Sequence, residues 1–216
     1  SNAEQAGLWI DDQKRVGGLV AERGDDGSER LAWTCATCHA SVRRPGGARV
    51  AGRPNSRLKV SELFRLAGRG QADEVPAAGW HPGQVDSSRD GVENPTAIPD
   101  LRPVRYQSHL HAAATVDNSL PALAARVETL LIVSQGGRAR PPRQLAFALA
   151  YYLWHLPMPE GSGSGGEGLE EGRRIFEQAC ARCHRADGRV APPVDYRLVG
   201  TDPAAARSPA RRTGRY

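Results

Sequence analysis

The chain has 216 residues, with 29 basic and 24 acidic side chains and a formal net charge of +5. The basic residues are scattered rather than clustered, so we expect no nucleic-acid partner. No apolar run approaches the roughly 20 residues that a helix needs to cross a bilayer, so we predict no membrane span. Because 24 glycines and 16 prolines interrupt the chain and aromatic residues make up only 6% of it, we expect many loops and a core that a bound group supplements.

The N-terminal half predicts short helices and one long loop. Residues 5–23 and 29–38 are expected to be helical pieces, broken at the segment Gly24-Asp25-Asp26-Gly27. Residues 61–68 predict a further short helix. Prolines and glycines then punctuate residues 70–108, which we interpret as a long loop that wraps a bound group.

Two longer helices are predicted next. Ser119 can cap a helix whose leucines and valines share one face, with Pro121 in its first turn, and this helix is expected to end at Gly136-Gly137. The second begins at Pro141-Pro142 and ends before Pro157, since proline cannot continue a helix. Residues 161–166 contain only glycine and serine, which predicts a flexible linker.

All four cysteines lie in two Cys-x-x-Cys-His motifs. On a helix, residues at i, i+3 and i+4 share one face, so each motif places two thiols beside an imidazole. This pattern is the attachment site of haem c: the thiols bond to the haem vinyl groups and the histidine is the proximal iron ligand. We therefore predict two covalent c-type haems. The attachment residues are Cys35, Cys38, Cys180 and Cys183, and the proximal ligands are His39 and His184.

Two other uses of these cysteines fit the pattern less well. A single zinc ion bound by both pairs would need them much closer along the chain, and zinc does not require a histidine after each pair. A redox dithiol would need only one pair, in a βαβ context. Because haem c is attached to exported chains, we expect a periplasmic protein whose signal peptide has been removed.

Several segments resemble known haem proteins. The pattern Gly172-x-x-x-Phe176-x-x-x-Cys180-x-x-Cys-His resembles the first helix of class I cytochrome c domains, and residues 144–156 resemble their C-terminal helix. The loop motifs resemble those of the bacterial di-haem cytochrome c peroxidase superfamily; they are Trp80–Asp86, Asp90-Gly91, Asn94-Pro95 and Ile98–Leu101, with Val199–Pro203 and Thr213–Tyr216 in the tail.

The resemblance implies an all-α fold, with cytochrome c-like helices and long loops around covalent haems. We set aside Ser1–Ala3, which resemble the remains of an expression tag. The predicted domains are residues 4–160 with haem one and residues 167–216 with haem two, joined by the linker at 161–166. The second domain is short for a haem domain, so we expect it to be truncated on its C-terminal side.

The second axial ligands are less defined by sequence. For haem one the resemblance points to His111, because a Leu-His segment precedes a Ser-Leu helix start in the superfamily. His109, Met158, His81 and an open site remain alternatives. For haem two no histidine or methionine follows His184, so its ligand is missing, borrowed from the first domain, or water. We expect the Ala191-Pro192-Pro193 stretch to supply a carbonyl that accepts a hydrogen bond from the His184 ring.

These features favour electron transfer between redox protein partners, with no catalytic residue assigned. The alternatives are a peroxidase-like enzyme that reduces hydrogen peroxide at an open haem and a haem-bearing sensor module. Since few apolar residues follow His184, we expect an exposed face on haem two and a possible homodimer formed through it.

Overall fold

A computed structural model of the chain describes residues 2–11, 13–24, 26–42, 47–66, 80–86, 95–111, 116–134, 139–158, 168–185 and 194–200. The described α-helices are α1 (Asn2–Gln5), α2 (Cys35–His39), α3 (Val60–Leu66), α4 (Leu120–Ser134), α5 (Arg143–Trp154), α6 (Leu169–Ile175) and α7 (Tyr196–Val199). A 3-10 turn covers Val104–Tyr106, and a π-helical turn covers Phe176–Cys180.

The described strands form antiparallel pairs. They are β1 (Leu19–Arg23) with β2 (Glu29–Trp33), β3 (Ala40–Val42) with β4 (Arg49–Ala51), β5 (Gln84–Val85) with β6 (Thr96–Ala97), and β7 (His109–Leu110) with β8 (Val116–Asp117). The chain is thus mixed α/β, and the all-α prediction is wrong.

The clearest departure from that prediction is the hairpin formed by β1 and β2. The break at Gly24–Gly27 was predicted correctly, but the flanking residues pair as strands, with Leu19 opposite Trp33 and Arg23 opposite Glu29. The turn is held by Asp26, whose carboxylate accepts hydrogen bonds from the Ser28 backbone and hydroxyl. Residues Glu29–Trp33 lack a helical period of apolar residues, and cross-strand pairing outweighs the weak helical preference of so short a segment.

The chain divides into two compact units. Unit 1 comprises Ser1–Arg89 and Glu93–Pro103, and unit 2 comprises Asp90–Val92 and Val104–Tyr216. The predicted linker at 161–166 lies outside the described residues, so the predicted division into domains 4–160 and 167–216 stays a prediction.

The core of unit 1 joins the N-terminal segment to α3. Its buried side chains are Ala6, Leu8, Leu58, Val60, Leu63 and Ile98, and Leu19, Cys38 and Phe64 pack against them. The core of unit 2 lies between α4 and α5, where its buried side chains include Leu123, Val127, Ala146 and Ala150.

The predicted helices α3, α4 and α5 are confirmed, within a few residues at each end. None of the described helices is long and apolar enough to cross a membrane.

Candidate haem-attachment sites

The first Cys-x-x-Cys-His motif forms the whole of α2, in unit 1. Thr34 caps this helix, since its hydroxyl oxygen accepts a hydrogen bond from the Ala36 backbone N–H. Helix α2 is a single turn and is too short to be stable alone. Its conformation therefore depends on contacts with the rest of unit 1.

One backbone carbonyl fixes the start of α2. The carbonyl oxygen of Gly18 accepts hydrogen bonds from the Thr34 N–H at 2.9 Å, the Thr34 hydroxyl at 2.9 Å and the Thr37 hydroxyl at 2.7 Å. Gly18 has a positive φ of 86°, and a Cβ at this position would lie 2.4 Å from the Thr37 Cα. The site therefore requires glycine here, both for its backbone conformation and for the close approach of two chain segments.

Gly52 and Asn55 hold the other end of α2. The backbone N–H groups of these residues donate to the carbonyls of His39 and Cys38, each at 2.8 Å. The buried Asn55 amide also donates to the Gly7 carbonyl at 3.0 Å and to the Thr37 carbonyl at 3.3 Å. A helix of this length leaves its carbonyls without intrahelical partners, and these bonds supply them.

The imidazole of His39 is oriented by a single backbone group. Its Nδ1 lies 3.2 Å from the carbonyl oxygen of Pro99. Because a carbonyl can only accept, Nδ1 carries the proton and Nε2 presents its lone pair, which is the form of histidine that binds a metal. Burial lowers the pKa of His39, against the smaller opposing effects of the Pro99 carbonyl and Asp100. The lowered pKa favours the neutral ring, and the bond to Pro99 leaves Nε2 as the nitrogen that could bind a metal.

The two thiols of the first motif differ in their surroundings. Cys35 is exposed, whereas Cys38 is partly buried against the core of unit 1. Burial, with a smaller contribution from Cys35, raises the pKa of the Cys38 thiol to about 11. Both cysteines are free, so α2 carries two thiols and an oriented imidazole, as covalent attachment of a haem requires.

The second motif begins at the end of a helix in unit 2. Helix α6 continues into the π-helical turn Phe176–Cys180, in which the Ala181 N–H donates to the Phe176 carbonyl. The motif spaces Gly172, Phe176, Cys180 and His184 four residues apart, whereas this turn closes over five residues. The His184 N–H donates to the Cys180 carbonyl at 2.8 Å, which closes a helical turn around the motif.

No residue of α6 or of the π-helical turn is buried. Ion pairs support α6 instead, and they join Arg173 to Glu170 and Arg174 to Glu171. Cys183 and His184 are exposed, and Cys180 is partly buried. The second set of predicted haem ligands thus stands on a solvated helix, and the carbonyl predicted at Ala191-Pro192-Pro193 to accept a hydrogen bond from His184 lies outside the described residues.

The candidates for the second ligand of haem one differ in how their side chains are engaged. His109 has both ring nitrogens occupied, Nε2 by the Asp117 carboxylate at 3.2 Å and Nδ1 by the Ser108 hydroxyl at 3.1 Å. His111 follows β7 with a positive φ of 70°, and burial, with a smaller effect of Arg126, lowers its pKa. His81 is exposed, as is Met158. His111 is itself exposed, so the choice of His111 over the other candidates stays a prediction.

Sequence reasoning did not identify the residues that support α2. Pro99 was noticed within a loop motif, but its carbonyl was not linked to His39, which lies 60 residues earlier. Gly18 and Asn55 carry no local signal, because their partners are distant in sequence. In the described part of the chain, no group of three or more His, Cys, Asp and Glu side chains converges as a metal-ion site.

Comparison with known proteins bears on the second motif. Residues 167–213 match the family described as cytochrome C oxidase, cbb3-type, subunit III. No curated protein and no solved structure matches the chain. The matched segment contains Cys180, Cys183 and His184. It supports a c-type cytochrome with haem-based electron transfer and covalently bound haem c.

Proposed function

We propose that the chain is a periplasmic di-haem c-type cytochrome that transfers electrons between redox proteins. One haem would be held in unit 1 and one in unit 2. Their attachment residues and proximal ligands are Cys35, Cys38 and His39 for haem one and Cys180, Cys183 and His184 for haem two.

The orientation of His39 carries this proposal. The sequence of the first motif alone would fit a redox dithiol, but a dithiol needs no oriented imidazole. Here the bond from Nδ1 to the Pro99 carbonyl leaves Nε2 available, one residue after Cys38 on a helix whose two ends are fixed. Hydrogen bonds of this kind set the ring orientation and raise the basicity of a metal-bound histidine.

A haem iron, when bound, supplies a centre that gains and loses one electron. The chain's own residues hold that group and keep its surroundings from reorganising. The thiols would hold it and His39 would ligate it through Nε2, while the bonds at Gly18 and Asn55 fix α2. A rigid ligand environment suits electron transfer, because little of the protein then needs to move when the charge changes.

The periplasmic location follows from the proposed cofactor, since haem c is attached after export. We also propose that haem two has an exposed face, because none of the 18 described residues of 168–185 is buried. Exposed apolar surface favours association, so a homodimer joined through haem two is part of the proposal. Analytical ultracentrifugation should then show a dimer of the holoprotein, and a strictly monomeric holoprotein would contradict this part.

A reductive titration tests electron transfer. The holoprotein should take up two electrons per chain, as followed by the haem absorption bands, and return them to an oxidised acceptor protein. It should not consume hydrogen peroxide when an electron donor is present. Uptake of one electron per chain would contradict the di-haem proposal, and sustained peroxide consumption would favour the peroxidase-like enzyme instead.

A further inference from the structure

One face of the β1–β2 hairpin exposes apolar side chains. Leu31 and Trp33 are two residues apart on β2 and therefore point to the same side of the hairpin. Leu31 is 69% exposed and Trp33 is 40% exposed. Neighbouring exposed residues of this kind form a patch that marks a site of contact with another apolar group.

The exposed face adjoins the apolar core against which Cys38 also packs. Trp33 lies opposite Leu19 in the hairpin and contacts Phe64 edge-on, with ring centroids 5.1 Å apart. Leu19, Phe64 and Cys38 are all partly buried, and they pack against the core of unit 1. The Leu31–Trp33 face thus adjoins, through Leu19 and Phe64, the same apolar core against which Cys38 packs.

The hairpin and α2 are also joined rigidly. Thr34 alone separates Trp33 from Cys35, and both its N–H and its hydroxyl bond to the Gly18 carbonyl at the base of β1. Four residues of extended chain span at most about 14 Å, so Leu31 lies within that distance of Cys35, measured between Cα atoms. A planar group bonded to the Cys35 and Cys38 thiols would extend over this range.

We propose that the Leu31–Trp33 face of the hairpin covers one part of the haem attached at Cys35 and Cys38. This inference rests on the proposed function, because it requires haem one to be present. The occupant is the macrocycle rather than a partner protein, since the face adjoins the core against which Cys38 packs and Trp33 lies two residues from Cys35. Leu31 and Trp33 would then exclude water from this part of haem one.

Nuclear magnetic resonance of methyl groups tests the contact. The ring current of a diamagnetic haem shifts nearby methyl resonances strongly upfield. We would label leucine and valine methyl groups in the fully reduced, carbon monoxide-saturated holoprotein, and assign two residues with the variants Leu31→Ala and Val20→Ala. Val20 is the matched control, because it is 49% exposed on the same hairpin and points to the opposite side.

We expect the Leu31 methyl resonances to lie far upfield and to disappear in Leu31→Ala, while those of Val20 stay in the ordinary aliphatic range. The intact mass of each sample, measured after denaturation, reports the number of attached haems independently of the methyl shifts. Absence of a haem at Cys35 and Cys38 would contradict the proposed function. If both haems are attached and the Leu31 methyls lie at ordinary positions, or if only those of Val20 are shifted, the covering role of the hairpin is wrong.

Discussion

The Thr37 hydroxyl donates a hydrogen bond to the carbonyl oxygen of Gly18 at 2.7 Å, and this bond joins α2 to the strand hairpin. Thr37 is 1% exposed, so the bond is shielded from water. The two residues are 19 positions apart in the sequence. Helix α2 therefore depends on a contact outside its own motif.

Substitution of Gly18 should destabilise unit 1 by more than the backbone strain of a side chain at a positive φ alone explains. The Cβ in Gly18→Ala would lie 2.4 Å from the Thr37 Cα, a backbone atom that cannot rotate away. We expect a loss of more than about 3 kcal/mol in the free energy of unfolding. Gly27→Ala is the control: its φ is 77°, but a Cβ there meets nothing within 4 Å, so it should cost about 1–2 kcal/mol. Urea denaturation followed by circular dichroism measures both, and equal losses would contradict the steric argument.

Replacement of Asn55 tests the other end of α2. Asn55→Leu keeps the approximate volume but leaves the Gly7 and Thr37 carbonyls without their amide donor. Loss of these buried hydrogen bonds should cost about 1–3 kcal/mol of unfolding free energy. The exposed Gln13→Leu serves as the control and should change stability by less than about 0.5 kcal/mol. An Asn55→Leu variant as stable as the control would show that these bonds do not support α2.

The attachment residues stay a prediction that rests on local spacing, whereas α4 was predicted correctly because its cap is local as well. The Ser119 hydroxyl accepts a hydrogen bond from the Ala122 N–H, as expected of a capping residue. The hairpin was missed because Leu19 and Trp33 stabilise it from opposite strands. The partner of His39 was missed for the same reason, since no local pattern connects this residue with Pro99.

The ion pair beside the His39 site should make stability depend on acid. Hydrogen bonds from the Arg102 guanidinium lower the pKa of Asp100 below its usual 3.8. Because the pKa of Asp100 is lowered in the folded state, the pair stabilises that state fully at a pH above the pKa of the unfolded chain. This contribution is lost as the pH falls through the pKa of the folded state. For a partly exposed pair we expect less than about 1 kcal/mol. The unfolding free energy of Asp100→Asn, measured from pH 6 to about pH 2.5, should therefore fall less steeply than that of the unsubstituted chain; parallel curves would contradict this role.

The histidines at 109 and 111 should respond differently to substitution. His109 is engaged through both ring nitrogens by Asp117 and Ser108, whereas we predict that His111 ligates haem one. His111→Ala should convert one haem to a high-spin form that binds imidazole. His109→Ala should leave the absorption spectrum of the haems unchanged. The reverse pattern would assign the ligand to His109, and two unchanged spectra would exclude both residues.

The intact mass of the denatured protein tests the central claim most directly. The chain should be expressed together with the machinery that attaches haem c, alongside two variants in which alanine replaces both cysteines of one motif. We predict a mass increase of two haems for the unsubstituted chain. The variant without Cys35 and Cys38 and the variant without Cys180 and Cys183 should each carry one haem. A mass equal to the bare polypeptide would contradict the di-haem assignment. It would also be contradicted if the unsubstituted chain carried a single haem and one of the two variants retained that haem.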